Sequence, residues 1–394
     1  MSELVEQAVA RLDQWITGCG SVGYDPFDGL SAPWARRLTL EIPALRMVLQ
    51  QTVRRLPVNI RPLLGISQKR SNQAQGYFAA GYLRRYACGG WPDDLDKARD
   101  CLADLQAHVS PGWAGPAWGW LFDYQSRGHY LPRGRPTVVW TAFIAHSFVE
   151  AYELLGDPAY LATARGACDF ILKDLPRRQV TPRSLVISYV PGQQLEIHNA
   201  NMLAASLLAR VYQHTAEPEL LAEARQAVRY TLDHQHPDGA WYYGEGRRWR
   251  WVDGYHTGFV LEALFDTMQS TGDDAHGSEL RRGMDYYRRQ LFDGPRPKHY
   301  STATYPIDIQ SAAQAIQTFA HIPPEFHGDR AWAEQVAGWT IAHMQAPAGC
   351  FYFRRHRRLT DRTIFLHWGQ ATMLAALSWL LPLSQAGLAV QEPV

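Results

Sequence analysis

Cysteine pairing is missing from this chain. Its five cysteines, Cys19, Cys88, Cys101, Cys168 and Cys350, are odd in number and contain no Cys-x-x-Cys spacing. That argues against a disulfide framework and against a cysteine zinc site. Charge of one sign is missing as well. The 39 basic and 38 acidic residues leave a formal net charge of +1, which points to neither nucleic acid nor an anionic membrane as a partner. No unbroken apolar run of about 18 residues occurs, so no membrane span is expected. The opening stretch MSELVEQAVARLDQWITGCG carries acids inside an amphipathic pattern and has no basic leader, so it is not read as a secretory signal. A cytoplasmic location is the default expectation. No cofactor and no metal are expected, and the oligomeric state is left open.

Apolar and aromatic residues are plentiful. Hydrophobic residues make up 46% of the 394 positions, enough for a large core, and there are 14 Trp and 19 Tyr. Many of these aromatics fall in loops, a distribution that suits a binding cleft. The length exceeds that of an ordinary single domain, but a closed ring of repeats holds such a length as one unit.

Such a repeat is visible. Polar or aromatic clusters stand at Asn72–Gln73, Trp140–Thr141, His198–Asn199–Asn201, Tyr255–His256–Thr257, Asp308–Gln310 and His367–Trp368–Gln370. The steps between them are about 60 residues, the length of two helices with their connections. After each cluster comes a run of small and apolar residues, such as NMLAASLLARVYQ, which reads as a buried helix. Between these runs lie amphipathic stretches such as PELLAEARQAVRYTLDHQ, with apolar residues at helical spacing. Buried helices alternating with amphipathic ones predict an all-α fold, an (α/α)6 toroid of six helical hairpins in a closed ring. A superhelical solenoid shares the local grammar, but six repeats with a buried inner set favour closure. Residues 1–65 read as an N-terminal entry segment packing on the ring, and 66–385 as the toroid.

In a toroid all six clusters fall at one end of the ring. Acidic, amide and hydroxyl residues there are good helix caps, each worth about 1 kcal/mol, and for residues such as Asn72, Asn201 and Thr257 capping and a site role are both open readings. Capping does not account for His198, His256 and His367 at equivalent positions. Three histidines are a known zinc set, but positions so far apart fix no ligand geometry. Asp253 and Asp308 form a candidate carboxylate pair on adjacent hairpins, as glycoside hydrolysis requires. Asp253 is crowded by Trp251, Tyr255 and His256, a setting that can raise its pKa. The same residues suit proton abstraction from a uronic acid, with His256 or Tyr255 as base and Asn199 or Arg250 facing the sugar carboxylate.

Asp253 with His256 and Tyr255 is therefore the expected acid–base centre and Asp308 the second carboxylate. His198, Asn199, Asn201, Gln310 and His367 are expected to orient substrate. Trp118, Trp120, Trp241, Trp251, Tyr243 and Trp368 are candidate stacking platforms, with Tyr305, Arg250 and Asp123 as further substrate contacts. The insertion from Trp120 to Pro136 lengthens one step and can wall or cover the cavity. The run Arg354–Arg358 reads as a solvated hairpin face that could also clamp an anionic chain.

With these phrases in hand, the chain resembles the six-hairpin glycosidase-like superfamily from about Tyr24 to about Leu381. SNQAQGYFAAGYL, PTVVWTAF, EIHNANMLAASLLARV, QHPDGAWYYGEG, WVDGYHTGFVLEAL and YPIDIQSAAQAI are similar to VpsJ-like proteins of bacterial exopolysaccharide clusters. The resemblance implies a polysaccharide or oligosaccharide substrate and a place in exopolysaccharide biosynthesis or processing. Hydrolysis leads, with uronic-acid lyase or C5-epimerase chemistry behind it and non-catalytic glycan binding as a further alternative. QHPDGAW also resembles the glutamine–tryptophan repeat of terpene cyclases. The acidic cluster those enzymes use is reduced here to Asp308 within Pro306-Ile307-Asp308-Ile309-Gln310.

Overall fold

The computed structural model describes residues 1–89, 91 and 93–382; the last three residues of the expected toroid, 383–385, lie outside them. The helices in chain order are α1 (Ser2–Cys19), α2 (Ala35–Thr39), α3 (Pro43–Arg55), α4 (Asn72–Ala87), α5 (Asp94–Ala107), α6 (Val138–Leu155), α7 (Pro158–Asp169), α8 (His198–Thr215), α9 (Pro218–Asp233), α10 (Gly254–Thr271), α11 (Gly277–Gln290), α12 (Ile309–His321), α13 (Arg330–Met344) and α14 (Thr372–Ser378). A wide π-type turn, Leu366–Ala371, leads into α14.

Six helices form the inner ring. Contacts run α4 to α6, α8, α10, α12 and α14, and from α14 back to α4, so the ring is closed. The fold is the (α/α)6 toroid. Inner helices pack close because their facing residues are small. A Cβ on Gly76 would stand 2.9 Å from Ile144, so α4 and α6 tolerate no side chain at that crossing. α6 is also long and apolar enough to cross a membrane by length and composition, with a mean hydropathy of 1.2, although its apolar residues are interrupted by His146, Ser147, Glu150 and Glu153. It is an inner helix with 61% of its residues buried, as a helix apolar on most sides is when neighbours surround it.

The outer layer is α5, α7, α9, α11 and α13, amphipathic helices that turn one face inward. In α9 the buried residues are Leu220, Ala224, Ala227, Val228, Tyr230, Thr231 and Leu232, the i, i+4, i+7 pattern of a half-buried helix. The sixth outer position is filled by α1, from the far end of the chain. A pair of equivalent loops shows this. After α9, Gln235 Nε2 donates to the Gly239 carbonyl and to Glu279 in α11, the next outer helix. After α13, Gln345 Nε2 donates to the Gly349 carbonyl and to Ala8 in α1. Asp13 of α1 then reaches forward to Arg85 and Lys97, on α4 and α5. Part of the 1–65 segment is thus ring wall, while α2 and α3 lie over the ring's mouth beside the hairpin Tyr124–Gln125/Tyr130–Leu131.

Every inner helix starts at the same end. Ser71, Thr137, Asp253 and Asp308 cap α4, α6, α10 and α12 by accepting first-turn backbone N–H groups. That end carries the polar clusters.

Candidate functional site

The mouth at the helix N-termini opens into a cavity of about 330 Å³. Its walls are mainly aromatic: Trp120, Trp140, Trp251, Trp368, Tyr124, Tyr189, Tyr243 and Tyr255. Trp251 stacks on Tyr243 with centroids 4.6 Å apart and planes 12° from parallel, a flat double layer that suits the C–H face of a sugar ring. The Trp120–Pro136 insertion forms one wall, through Tyr124, Arg127 and His129.

The acid–base groups collect on α10. Asp253 Oδ1 accepts the His256 backbone N–H at 2.9 Å. Its Oδ2 lies 2.7 Å from His256 Nδ1 and accepts the Trp251 indole N–H at 2.9 Å. Capping fixes the carboxylate, and the carboxylate fixes the imidazole. Burial works against its charge, yet the His256 imidazole beside it, with help from His299, brings the Asp253 pKa below the ordinary carboxylate value. His256 is wedged against Tyr255 and Tyr243, and among the described residues its Nε2 has no hydrogen-bond partner. Burial pushes the Tyr255 phenol well above its usual range, so it holds its proton. Burial also lowers His299, stacked 5.7 Å from Tyr255, to about 4, so it is neutral.

A second imidazole–carboxylate pair stands at the sixth hairpin. His367 Nδ1 lies 2.9 Å from Asp25 Oδ2, and His367 Nε2 is buried without a partner. The ring lies edge-on to Trp140 at 5.0 Å and to Trp368 at 5.5 Å, both of which line the cavity. The loop Gly23–Gly29 is conspicuous in the sequence, but nothing there joins Asp25 to a histidine 342 residues away.

The expected residues divide. Asp253, Tyr255, His256, Asn199, Gln310, Trp120, Trp251 and Trp368 line the cavity. Asn199 Oδ1 and Gln310 Oε1 are buried there with no partner, free to meet sugar hydroxyls. Asp308 does not join them as a second carboxylate. It is fully buried, caps Gln310, accepts the Trp368 indole, and pairs with Arg354 at 2.6 Å. Burial opposes its charge, but Arg354 outweighs that and holds its pKa down.

The three histidines do not converge either. His198 turns away to Glu245 at 3.0 Å and to Thr231 on α9. Asn201 ties the backbone of Ile187 and Ala227 together. Trp241 is buried and donates its indole N–H to the Thr231 carbonyl at the end of α9, as Trp118 does to Leu105 at the end of α5. It is a repeat packing residue, which also accounts for the likeness of QHPDGAW to the cyclase repeat. Arg250 is exposed at the rim. Asp123 accepts the Arg133 backbone N–H within the insertion. Tyr305 borders a shallow groove outside the cavity.

Sequence reading missed Arg54, Arg127, His129 and His299, which all line the cavity. None sits at an inner-helix start, the one signal that the repeat supplies.

At the other end of the ring a second hollow of about 930 Å³ is lined by Glu262, Asp266, His146, His321 and Arg210 among others. Phe143 and Phe259, 4.8 Å apart, lie between the two ends.

No family model matches the chain, and no curated protein matches it either. Solved structures do. The cellobiose 2-epimerase of Bacillus thermoamylovorans B4167 superposes with a TM-score of 0.62 at 12% identity, over 79% of this chain and 87% of that one. A GH76 α-mannanase of Bacteroides thetaiotaomicron gives 0.57 at 13%, over 80% and 87%. A polysaccharide lyase gives 0.56 at 11%, over 77% and 88%. At such identities these likenesses establish the toroid.

Proposed function

We propose that the protein is a glycan-modifying enzyme that moves a proton at a sugar carbon, most simply as an epimerase. The observation that carries this reading is the His256–Asp253 pair. The imidazole faces the cavity with Nε2 free, while the other candidate carboxylate, Asp308, is sealed by Arg354. Two-carboxylate hydrolysis lacks its second member. Structural likeness to sugar epimerases, a mannanase and a polysaccharide lyase supports the substrate class by analogy of fold. The exopolysaccharide setting is part of the same proposal, resting on the sequence phrases that resemble such proteins.

The step balances as follows. His256 Nε2 takes the proton from a carbon next to a carbonyl or carboxyl group, and the C–H electron pair moves into that group as an enolate. The aromatic walls keep bulk water from the enolate, and the Tyr255 hydroxyl donates a hydrogen bond within the cavity. Return of a proton to the opposite face of the enolate completes inversion at the carbon; its proposed source is His367 in its imidazolium form, whose Nδ1–H is held by Asp25 and whose Nε2 has no partner behind Trp140 and Trp368.

Incubation of acidic and neutral oligosaccharides in deuterated water tests this. Deuterium at a sugar carbon with inverted configuration is the expected result. Asp253→Asn, which still caps α10, should lower the rate by about 10²–10⁴. New reducing ends without deuterium would establish hydrolysis instead.

A further inference from the structure

Among the described residues the cavity holds a cation with no ion-pair partner. Arg54, in the last turn of α3, lines the cavity with its guanidinium carbon 4.4 Å above the Phe27 ring. Its Nε is buried with no acceptor, and among the described residues no acid pairs with it. The nearby Asp308 is already spent on Arg354 and Trp368. A guanidinium packed on an aromatic face and left without an anion presents a planar fork suited to a carboxylate.

Further cations continue from it. Arg127 lies 5.0 Å over Trp251 on another wall. Arg55 lines both the cavity and the open groove beyond it, a hollow of about 490 Å³. Arg357, Arg358 and His356 border that groove, and among the described residues no acidic side chain does. Among the described residues Arg55, Arg127, Arg357 and Arg358 have no acid partner. Other arginines, such as Arg165, Arg177 and Arg210, do have acid partners. The one acid that lines the cavity among the described residues, Asp253, is occupied by His256.

We infer that the cavity and groove form one track for an anionic glycan, with Arg54 receiving the carboxylate of a uronic-acid residue in the cavity and Arg55, Arg357 and Arg358 receiving the chain beyond it. This rests on the reading of the cavity as a sugar site and adds the class of sugar. A carboxylate next to the reacting carbon would also acidify its C–H bond, and Arg54 would steady the charge that proton removal places there.

The test is binding, measured by calorimetry with the intact chain and with an inert His256→Gln variant, so that it does not depend on turnover. The probes are uronic-acid disaccharides and hexasaccharides, their carboxyl-reduced neutral counterparts, and dextran sulfate. Uronic-acid chains should bind at least tenfold more tightly than the neutral ones and weaken as salt rises. Arg54→Gln should lose tenfold or more for disaccharide and hexasaccharide alike, with Arg54→Lys retaining part. Arg357→Gln with Arg358→Gln, at exposed positions where folding is not at risk, should weaken the hexasaccharide only. Equal binding of neutral chains would overturn the track, as would an unaltered Arg54→Gln variant of confirmed fold. Dextran sulfate binding that matches the uronic-acid chains and ignores Arg54 would show a nonspecific polyanion surface and overturn it too. Binding of uronic-acid chains without deuterium exchange would leave the track standing and remove the proton-transfer chemistry; exchange on neutral sugars alone would do the reverse.

Discussion

Asp308 Oδ1 accepts the Trp368 indole N–H at 2.8 Å across 60 residues of sequence, so a carboxylate on the fifth hairpin sets an aromatic wall carried by the sixth. Its other oxygen pairs with Arg354 at 2.6 Å. Removing that charge leaves a mostly buried guanidinium without a partner, a loss of roughly 3–5 kcal/mol. Asp308→Asn should show it in urea unfolding, and Asp308→Asn with Arg354→Met should recover part. Because the folded pKa lies below 3.8, this contribution is present above about pH 4 and fades as pH falls further. The acid limb of the stability curve should therefore be shallower in the variant. Equal acid limbs would mean that the pair contributes no pH dependence.

Asp25 gives a way to separate the two imidazoles. Asp25→Asn keeps an acceptor for the Phe27 backbone N–H but loses the charge facing His367. His256 is untouched. Substrate recovered from deuterated water should still exchange its proton, while inverted product should fall about tenfold or more. If exchange and inversion fall together, His367 is not a separate proton donor.

Glu262 supplies a pH signature from the opposite mouth. Its carboxyl group accepts from Gln314, Thr318 and Gln317 at 2.6–2.7 Å. Burial pushes its pKa from 4.5 up to about 7. The folded state then holds a proton that the unfolded chain releases, so stability falls as pH rises from about 4.5 to about 7. The total is of order 3 kcal/mol. Glu262→Gln should remove this slope and be more stable than the parent at pH 8, read from denaturant midpoints at pH 5, 6, 7 and 8. Parallel curves for parent and variant would refute the assignment.

Gly349 tests the role of α1. It has φ 97°, and a Cβ there would stand 2.2 Å from the Arg11 carbonyl oxygen. Gly239 has the same relation to Arg282 on α11. Gly349→Ala should cost about 1–3 kcal/mol and loosen α1, seen as faster amide exchange between Ser2 and Cys19. Lowered stability with α1 unchanged would place the strain elsewhere.

The toroid was legible because its repeat is long and its inner helices are rich in small and apolar residues along most of their length. The site was legible only in part, for the same reason. Inner-helix starts announce themselves, and Asp253, His256, Asn199 and Trp368 were found there. Capping, ion pairing and catalysis all recruit the same residue types at a helix start, so Asp308 and Asn201 carried the signal while serving the framework. Only the three-dimensional neighbours, Arg354 for one and Ile187 with Ala227 for the other, tell them apart. Arg54 and Asp25 lie outside the repeat, on segments whose place over the mouth depends on tertiary packing alone.

Seating α1 in the last outer position couples the two ends of the chain in time. During synthesis α1 can meet α4 and α5 through Asp13, but its seat against α13 and α14 is not made until more than 300 residues later. Until then its apolar stripe of Val5, Val9, Leu12 and Ile16 lacks the cover of α13 and α14, and the ring is open. Closure of the ring thus waits on α13 and α14, and the mouth with its aromatic cavity exists only once they have met α1.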